Sequence, residues 1–239
     1  MSKIKLFCLP YAGGSATVYS KWRTFLNPNI QIVPMEMAGR GARFKEGFYQ
    51  SIAEAVNDLY VKIDFKSNHY PYAFFGHSMG SFLVYELCRK IATDKQKGPI
   101  HIFVSGMQPP HIKKERKILH QLPLDEFKEE IIKLGGTPRE VFENQELMDF
   151  FVPILKADYK IFETYQYLPN DTKFDCGITA FYGLSDKTTF DEMLEWGNYT
   201  SDSSKVYQYE GGHFFIHNHT AAIVDVINKT LSNFFSGRG

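Results

Sequence analysis

Short apolar segments alternate along the chain with longer segments whose apolar residues recur every three or four positions. The short segments have the length of buried β-strands, and the longer ones have the periodicity of amphipathic helices. We predict strands at residues 4–9, 30–35, 72–76, 100–105, 178–183 and 205–209. We predict helices at residues 52–63, 79–93, 188–197 and 220–235. This alternation is typical of repeated βαβ units, so the predicted fold class is α/β, with a mostly parallel central sheet flanked by helices.

One long interval, residues 109–167, departs from the alternation because it contains no convincing strand. Helical patterns at 123–134 and 144–166 are separated there by the turn-prone residues 135–138. We predict a helical lid insertion at about 109–167 within a single domain that spans residues 1–239. Two ordinary packing helices are the alternative interpretation.

The charge balance and the N-terminal segment indicate which partners are not expected. The 27 Lys and Arg residues balance the 27 Asp and Glu residues, so no net field attracts nucleic acid or an anionic membrane. The first apolar segment ends at Pro10 and is too short for a signal peptide or a membrane span. We therefore expect a cytoplasmic protein that binds neither nucleic acid nor membrane.

The cysteines and the paired histidines offer little chemistry of their own. Cys8, Cys88 and Cys176 form no CxxC pair and lie in apolar segments, which predicts buried, reduced thiols. His217 and His219 form a His-x-His pair, but no further Cys or His stands at ligand spacing. We predict neither a metal nor a cofactor.

The strand predicted at 72–76 runs into Gly76-His77-Ser78-Met79-Gly80, and a helical pattern follows. A Gly-x-Ser-x-Gly sequence between a strand and a helix is typical of the nucleophile elbow. Glycine lets neighbouring backbone pass where a Cβ would clash, and the sharp turn exposes the serine hydroxyl at the carboxyl edge of the sheet. We predict that Ser78 is a nucleophile; a structural turn serine is the alternative.

A serine hydroxyl needs a base, and the base needs an acid that orients it. The strand predicted at 178–183 is followed by Asp186, and the strand predicted at 205–209 is followed by His213. The chain order Ser, Asp, His is that of α/β-hydrolases. We therefore predict a catalytic triad of Ser78, Asp186 and His213.

Both triad partners have alternatives. Asp186 is also placed to cap the next helix, and His213 also fits an ordinary loop histidine. The rival acids are Asp175, which precedes its strand, and Asp191, which lies inside a helical pattern. Both rivals are placed less well than Asp186 for contact with a base at the carboxyl edge.

Two backbone N–H groups are expected to stabilise the oxyanion of an acyl-transfer intermediate. Met79, the residue after the nucleophile, supplies the first. The loop after the strand predicted at 4–9 supplies the second through Tyr11 or Ala12, next to Gly13-Gly14. A tight glycine turn without this role is the alternative.

Several segments together resemble the type II thioesterases that accompany nonribosomal peptide and polyketide synthases. The resemblance spans essentially the whole chain and rests on LFCLPYAGGSA near the start, PMEMAGRGAR at 34–43, FFGHSMG at 74–80, SGMQPPH at 105–111, LPLDEFKEEIIKLGGTP at 122–138, FVPILKADYKIFETY at 151–165, FYGLSDK at 181–187 and GGHFF at 211–215. The GRG-x-R loop and the L-GG-P element point to this family rather than to α/β-hydrolases in general. One departure is Ser81, where the family has a second glycine; we expect it to crowd the helix start slightly.

The resemblance implies an α/β-hydrolase fold and a serine thioesterase that hydrolyses acyl or aminoacyl thioesters on the phosphopantetheine arm of carrier domains. Such an enzyme clears mis-primed or stalled units. Carried over by position, Ser78, Asp186 and His213 form the triad, and the amides of Ala12 and Met79 form the oxyanion hole. The implied partners are acyl- or peptidyl-carrier domains. A monomer is expected, because a corrective hydrolase that visits a large carrier needs no second subunit.

Basic residues at the entry to the insertion and in the GRG-x-R loop are candidate contacts for the carrier or for the phosphate of its arm. Carrier domains tend to be acidic, so charge complementarity favours docking there. The candidates are Arg40, Arg43, Lys113, Lys114 and Lys117. Solvated surface charge is the alternative.

Other functional classes share part of this pattern. A carboxylesterase, a lipase, a free acyl-CoA hydrolase or a medium- or long-chain acyl-carrier thioesterase would use the same triad. A non-catalytic receptor on a hydrolase scaffold typically lacks a triad residue, whereas all three candidates are present here.

Overall fold

Six strands form a parallel sheet in the structure, a computed structural model that describes residues 3–63, 65 and 70–235. They are β1 (Ile4–Leu9), β2 (Ile30–Pro34), β3 (Tyr72–His77), β4 (His101–Ser105), β5 (Gly177–Gly183) and β6 (Ser204–Tyr209). The strand order is β2-β1-β3-β4-β5-β6, and every neighbouring pair is parallel. The predicted α/β class and the parallel sheet are confirmed, and all strand ends lie within one residue of the prediction.

The inner strands β3, β4 and β5 are mostly continuous apolar segments because helices cover both faces of the sheet. All residues of β3, β4 and β5 are buried. One hydrophobic cluster includes Phe74 and Ile178, and a second cluster includes Phe75 and Phe181. Successive side chains of a strand point to opposite faces, so the two clusters lie on opposite sides of the sheet.

The helices are α1 (Ile52–Lys62), α2 (Met79–Thr93), α3 (Leu124–Leu134), α4 (Glu140–Glu143), α5 (Gln145–Glu163), α6 (Phe190–Leu194), α7 (Phe215–Asn218) and α8 (Thr220–Ser232). The helix predicted at 188–197 begins later, at α6, because Thr189 and Glu192 form a capping box there. It continues as a 3₁₀ helix at Glu195–Tyr199. The 3₁₀ helices at Ala16–Thr24 and Gly41–Arg43 and the short α4 and α7 were not predicted.

Helices α3, α4 and α5 lie between β4 and β5, within the interval predicted as an insertion. Part of this segment packs on itself, in a separate hydrophobic cluster built around Leu119, Phe127, Ile131 and Leu155. The second half of α5 packs on the main body instead. There Ile161 joins the main core, and the rings of Phe162 and Phe82 lie 5.3 Å apart. The insertion therefore has an outer part with its own small core and an inner part that packs on the main core.

The three cysteines lie in the core. Burial raises the pKa of the Cys176 thiol to about 12 and raises the pKa values of Cys8 and Cys88 well above the ordinary range. These thiols therefore stay protonated near neutral pH, as structural residues do. No helix among residues 3–63, 65 and 70–235 combines the length and the apolar character that crossing a bilayer requires.

Candidate active site

Strand β3 passes directly into α2, and Ser78 is the single residue between them. Its backbone has φ 55° and ψ −120°, a conformation that a residue with a side chain rarely adopts. The Ser78 N–H donates to the carbonyl oxygen of Ser105 at the end of β4, at 2.8 Å. The turn is therefore held by the neighbouring strand, and such strained residues persist where the surroundings fix them.

The glycines of the elbow are required by backbone contacts. A Cβ on Gly76 would lie 2.2 Å from the carbonyl oxygen of Gly80, and a Cβ on Gly80 would lie 2.4 Å from the carbonyl oxygen of Leu9. Because the opposing atoms belong to the backbone, neither can move aside cheaply. The elbow is thus wedged between β1 and β4, and this contact fixes where the Ser78 hydroxyl lies.

The structure brings the three predicted triad residues together. The Ser78 Oγ lies 2.8 Å from Nε2 of His213, and Nδ1 of His213 lies 2.8 Å from Oδ2 of Asp186. Ser78 is partly exposed, whereas the Asp186 side chain is only 6% exposed. A substrate can therefore reach the hydroxyl while the carboxylate stays shielded from water.

Backbone hydrogen bonds join the loops after β5 and β6, which sets the position of Asp186 relative to His213. The N–H of Leu184 donates to the carbonyl of Tyr209, and the N–H of Ser185 donates to the carbonyl of Gly211. Gly183 allows this approach because a Cβ there would lie 2.5 Å from the carbonyl oxygen of Gly212. The two loops thus form one rigid unit at the carboxyl edge of the sheet.

The rival acids and the other histidines lie elsewhere or have other partners. Asp175 accepts a hydrogen bond from Ser201 at the amino end of β5, and Asp191 is exposed on α6. His217 Nε2 lies 3.2 Å from the Tyr11 hydroxyl, and His219 Nε2 lies 2.9 Å from the carbonyl oxygen of Glu210. Asp186 is the carboxylate that contacts His213 in this structure.

His77 is a buried neighbour of His213, with ring centroids 5.1 Å apart. Burial lowers the pKa of His77 well below its ordinary value, and the nearby imidazoles of His213 and His217 lower it further. His77 is therefore neutral near pH 7. Its Nδ1 lies 2.9 Å from the hydroxyl of Ser105, so it links the elbow to β4 without placing a second positive charge beside His213.

The amides predicted for the oxyanion hole carry no other hydrogen bond. Within the described part of the chain, no group accepts from the N–H of Met79, Ala12 or Tyr11. The N–H of Gly13, by contrast, donates to Oδ2 of Asp158 at 2.7 Å. The loop after β1, here called the early loop, thus has two N–H groups without an acceptor, those of Tyr11 and Ala12, next to the bonded N–H of Gly13. The choice of Ala12 over Tyr11 rests on the family resemblance.

Ser81 does not crowd the start of α2. Its buried hydroxyl lies 2.9 Å from the carbonyl oxygen of Gly76 and accepts from the N–H of Ser105 at 3.1 Å. Where the family has a glycine, the Ser81 side chain thus adds hydrogen bonds that join the elbow to β4. These contacts have ordinary lengths, so the expectation of crowding is corrected.

Arg40 is buried, which corrects the expectation that it contacts a carrier. Its side chain is 3% exposed, and its two terminal nitrogens bind the carboxylate of Asp158. Arg43 is 11% exposed and binds Glu46 and Asp58. Both guanidinium groups are used inside the protein, so neither is free for a phosphate on the surface.

The lysines predicted as carrier contacts lie at the surface. Lys113 is exposed, and no group among the described residues pairs with it. Lys114 Nζ binds Glu192 and the carbonyl oxygen of Lys187, each at 2.7 Å. Lys117 Nζ lies 3.2 Å from Glu130. Since Lys187 follows Asp186 directly, this basic segment runs beside the loop that carries Asp186.

The turn between α3 and α4 packs on Phe214, the residue after His213. A Cβ on Gly136 would lie 2.0 Å from the ring of Phe214, so the backbone of this turn rests on that ring. The Phe214 ring is in turn 5.1 Å from the His213 ring and 4.9 Å from the Tyr11 ring. The second glycine of the L-GG-P element thus allows the insertion to lie close to His213.

Gly80→Ala is expected to lower the free energy of unfolding by more than about 2 kcal/mol, because the new methyl group would overlap a backbone oxygen of β1. A urea titration measures this change. The matched control is Gly98→Ala, where a Cβ meets no atom within 4 Å and a change within about 0.5 kcal/mol is expected. Equal stability of the two variants would contradict the wedged elbow.

Comparison with known proteins agrees with this geometry. The family model described as thioesterase domain matches residues 4–231. The chain is 35% identical to the gramicidin S biosynthesis protein GrsT of Aneurinibacillus migulanus, over 96% of this chain and 90% of that protein.

Two solved structures share the whole fold. The structure of ClbQ from the colibactin NRPS/PKS pathway has a TM-score of 0.91 and 39% identity, and covers 97% of this chain and 98% of that one. The structure of the type II thioesterase BorB from the borrelidin biosynthetic cluster has a TM-score of 0.86 and 32% identity, and covers 96% and 93%. With its α/β-hydrolase fold and a family match over nearly its full length, this chain belongs to the thioesterase family and is a thioester hydrolase.

Proposed function

We propose that this thioesterase hydrolyses acyl and aminoacyl thioesters from the phosphopantetheine arm of carrier domains, and so removes mis-primed or stalled units during nonribosomal peptide or polyketide synthesis. The observation that carries the proposal is the hydrogen-bonded series from Ser78 through His213 to Asp186, in a chain of this family. BorB is a type II thioesterase from the borrelidin biosynthetic cluster, and ClbQ comes from the colibactin NRPS/PKS pathway.

In the first step, Nε2 of His213 takes the proton of Ser78 as Oγ attacks the thioester carbonyl. Asp186 accepts the Nδ1–H bond, which holds the imidazole in the required tautomer and stabilises its protonated form. His213 then returns the proton to the departing pantetheine sulfur. The acyl group remains on Ser78 as an ester.

In the second step, a water molecule gives a proton to His213 and attacks the acyl ester. The carboxylic acid leaves, and His213 returns the proton to Ser78 Oγ. In both steps a negative charge develops on the carbonyl oxygen. We assign its stabilisation to the N–H groups of Met79 and Ala12, which are free to donate in this structure.

A thioester expels its thiol more readily than an amide expels an amine, so the site needs no close recognition of the acyl group. Broad acyl tolerance follows, as an editing enzyme requires. We further propose that the enzyme acts in the cytoplasm as a monomer, without cofactor, nucleic acid or membrane.

Carrier docking is assigned to the basic segment at Lys113, Lys114 and Lys117. The segment contacts the loop after β5 through Lys114, so a carrier bound there would deliver its arm near the triad. Lys113 has no partner in the described part of the chain and is free to pair with an acidic group of a carrier.

Ser78→Ala is expected to lower kcat by roughly 10³–10⁶ for every carrier-bound acyl group, because the oxyanion donors remain while the nucleophile is lost. The measurement is mass spectrometry of a panel of acyl-loaded carrier domains. Oxygen esters and acyl-CoA thioesters of the same acids serve as competing substrates.

Faster cleavage of the oxygen esters would favour a carboxylesterase, and strong preference for medium or long chains would favour a fatty acyl thioesterase. One acyl group cleaved thousands of times faster than all others would contradict the editing role. The wild-type enzyme must also label with a fluorophosphonate at Ser78.

Lys113→Glu is expected to raise KM for an acyl-carrier about threefold to tenfold and to weaken the dependence of KM on salt, with kcat unchanged. KM for a small pantetheine thioester should not change. Lys97→Glu is the control, because this exposed lysine lies in the loop before β4, at the opposite edge of the sheet. Identical behaviour of the two variants toward the carrier would exclude docking through Lys113.

A further inference from the structure

The insertion contributes a buried charge to the centre of the protein. Asp158 of α5 binds both terminal nitrogens of Arg40, at 2.5 and 2.6 Å, and each side chain is 3% exposed. The two residues are separated by 118 positions in the chain. Arg40 stands between Gly39 and Gly41, both with positive φ, so the loop after β2 is shaped to turn this side chain inward.

The same ion pair also binds the early loop. Oδ2 of Asp158 accepts the N–H of Gly13 at 2.7 Å, and Nη1 of Arg40 donates to the carbonyl oxygen of Gly14 at 3.1 Å. Leu155, one turn before Asp158 on α5, packs directly on Gly13. Three segments that are distant in the chain therefore meet at one buried group of charges.

The bound residues form the second half of a tight turn. The N–H of Gly14 donates to the carbonyl of Tyr11 at 2.9 Å, and Gly13 has φ 79°, as the third position of a type II turn requires. The hydrogen bond of this turn restricts the φ and ψ angles of Ala12, which join the two peptide planes. Holding the N–H of Gly13 therefore also restrains the direction of the neighbouring N–H of Ala12.

We propose that Asp158 and Arg40 are positioning residues for the oxyanion hole: Asp158 on α5 holds the N–H of Gly13 and thereby aims the Ala12 amide at the developing oxyanion. This inference rests on the oxyanion role assigned to Ala12 above. On this proposal, the inner part of the insertion, the second half of α5, helps to position the oxyanion hole.

Attraction between the two charges alone does not account for this ion pair. Burying two charges costs desolvation energy, and apolar residues of similar size often stabilise a core equally well. An apolar pair would leave the N–H of Gly13 without an acceptor, however, and a buried donor without a partner is costly. An oxygen atom at position 158 therefore holds this turn through the N–H of Gly13, which an apolar side chain would not do.

Two double variants separate the effect of losing the acceptor for the N–H of Gly13 from the effect of losing the two charges. Arg40→Met with Asp158→Leu removes both charges and the acceptor, whereas Arg40→Met with Asp158→Asn removes both charges and keeps a carbonyl oxygen that can accept from Gly13. A misplaced oxyanion donor reduces kcat without weakening ground-state binding. We expect kcat on a small pantetheine thioester to fall about 10- to 100-fold in the Leu variant and less than about threefold in the Asn variant, with KM unchanged in both.

Inhibitor affinity tests the oxyanion directly. A trifluoromethyl ketone analogue of the thioester adds Ser78 Oγ to its carbonyl carbon, the serine proton moves to His213, and the ketone oxygen becomes an oxyanion. Its affinity should fall about 10- to 100-fold in the Leu variant. The matching methyl ketone, which binds without a stable adduct, should keep its affinity. A purely structural role would weaken both inhibitors or neither.

Melting temperatures establish that each variant is folded, and Arg89→Met with Glu86→Leu removes another ion pair, on α2, as a control expected to keep kcat. Equal kcat in the folded Leu and Asn variants would overturn the proposal. The test uses a small thioester, so it stands if the carrier assignment fails. Ser78→Ala in the same assay shows separately whether the proposed nucleophile is correct.

Discussion

The close contact between the elbow and its two neighbouring strands is the constraint on which the rest of the site depends. Gly80 lies against the backbone of β1, and the N–H of Ser78 is held by the end of β4. Only glycine permits the first contact, and only a fixed neighbour can hold a serine at φ 55°. Once the hydroxyl is fixed at the carboxyl edge, residues from the ends of β5 and β6 can reach it, because parallel strands end on the same side.

Three layers of contacts then give this edge its chemistry. Backbone hydrogen bonds join the loops after β5 and β6 and set the distance between Asp186 and His213. A neutral, buried His77 links the elbow to β4 without adding charge. The insertion adds a third layer, with the turn at Gly136 resting on Phe214 and the carboxylate of Asp158 reaching the early loop. The insertion therefore contacts both the ring of the residue after His213 and the loop that we propose supplies an oxyanion donor.

Most of the fold could be predicted from the sequence, because strands buried on both faces are short continuous apolar segments, and Ser78 and Asp186 each follow one of them. The Arg40–Asp158 pair could not, since a contact across 118 residues leaves no local pattern and arginine is usually exposed. A signal did exist: Asp158 lies on the buried side of α5 with Ile154, Leu155 and Ile161, where a charge requires a partner. The 3₁₀ helices at Ala16–Thr24 and Gly41–Arg43 were missed because their apolar residues follow no clear period.

The central claim is that Ser78, activated by His213 and Asp186, takes the acyl group from a pantetheine thioester. The most direct measurement is rapid quenching of the reaction with an acyl-loaded carrier, followed by peptide mapping by mass spectrometry. The account requires an acyl ester on the peptide that contains Ser78, formed and lost at rates that match turnover. Acylation of a different residue, or an acyl-enzyme that forms more slowly than the enzyme turns over, would contradict the role of Ser78.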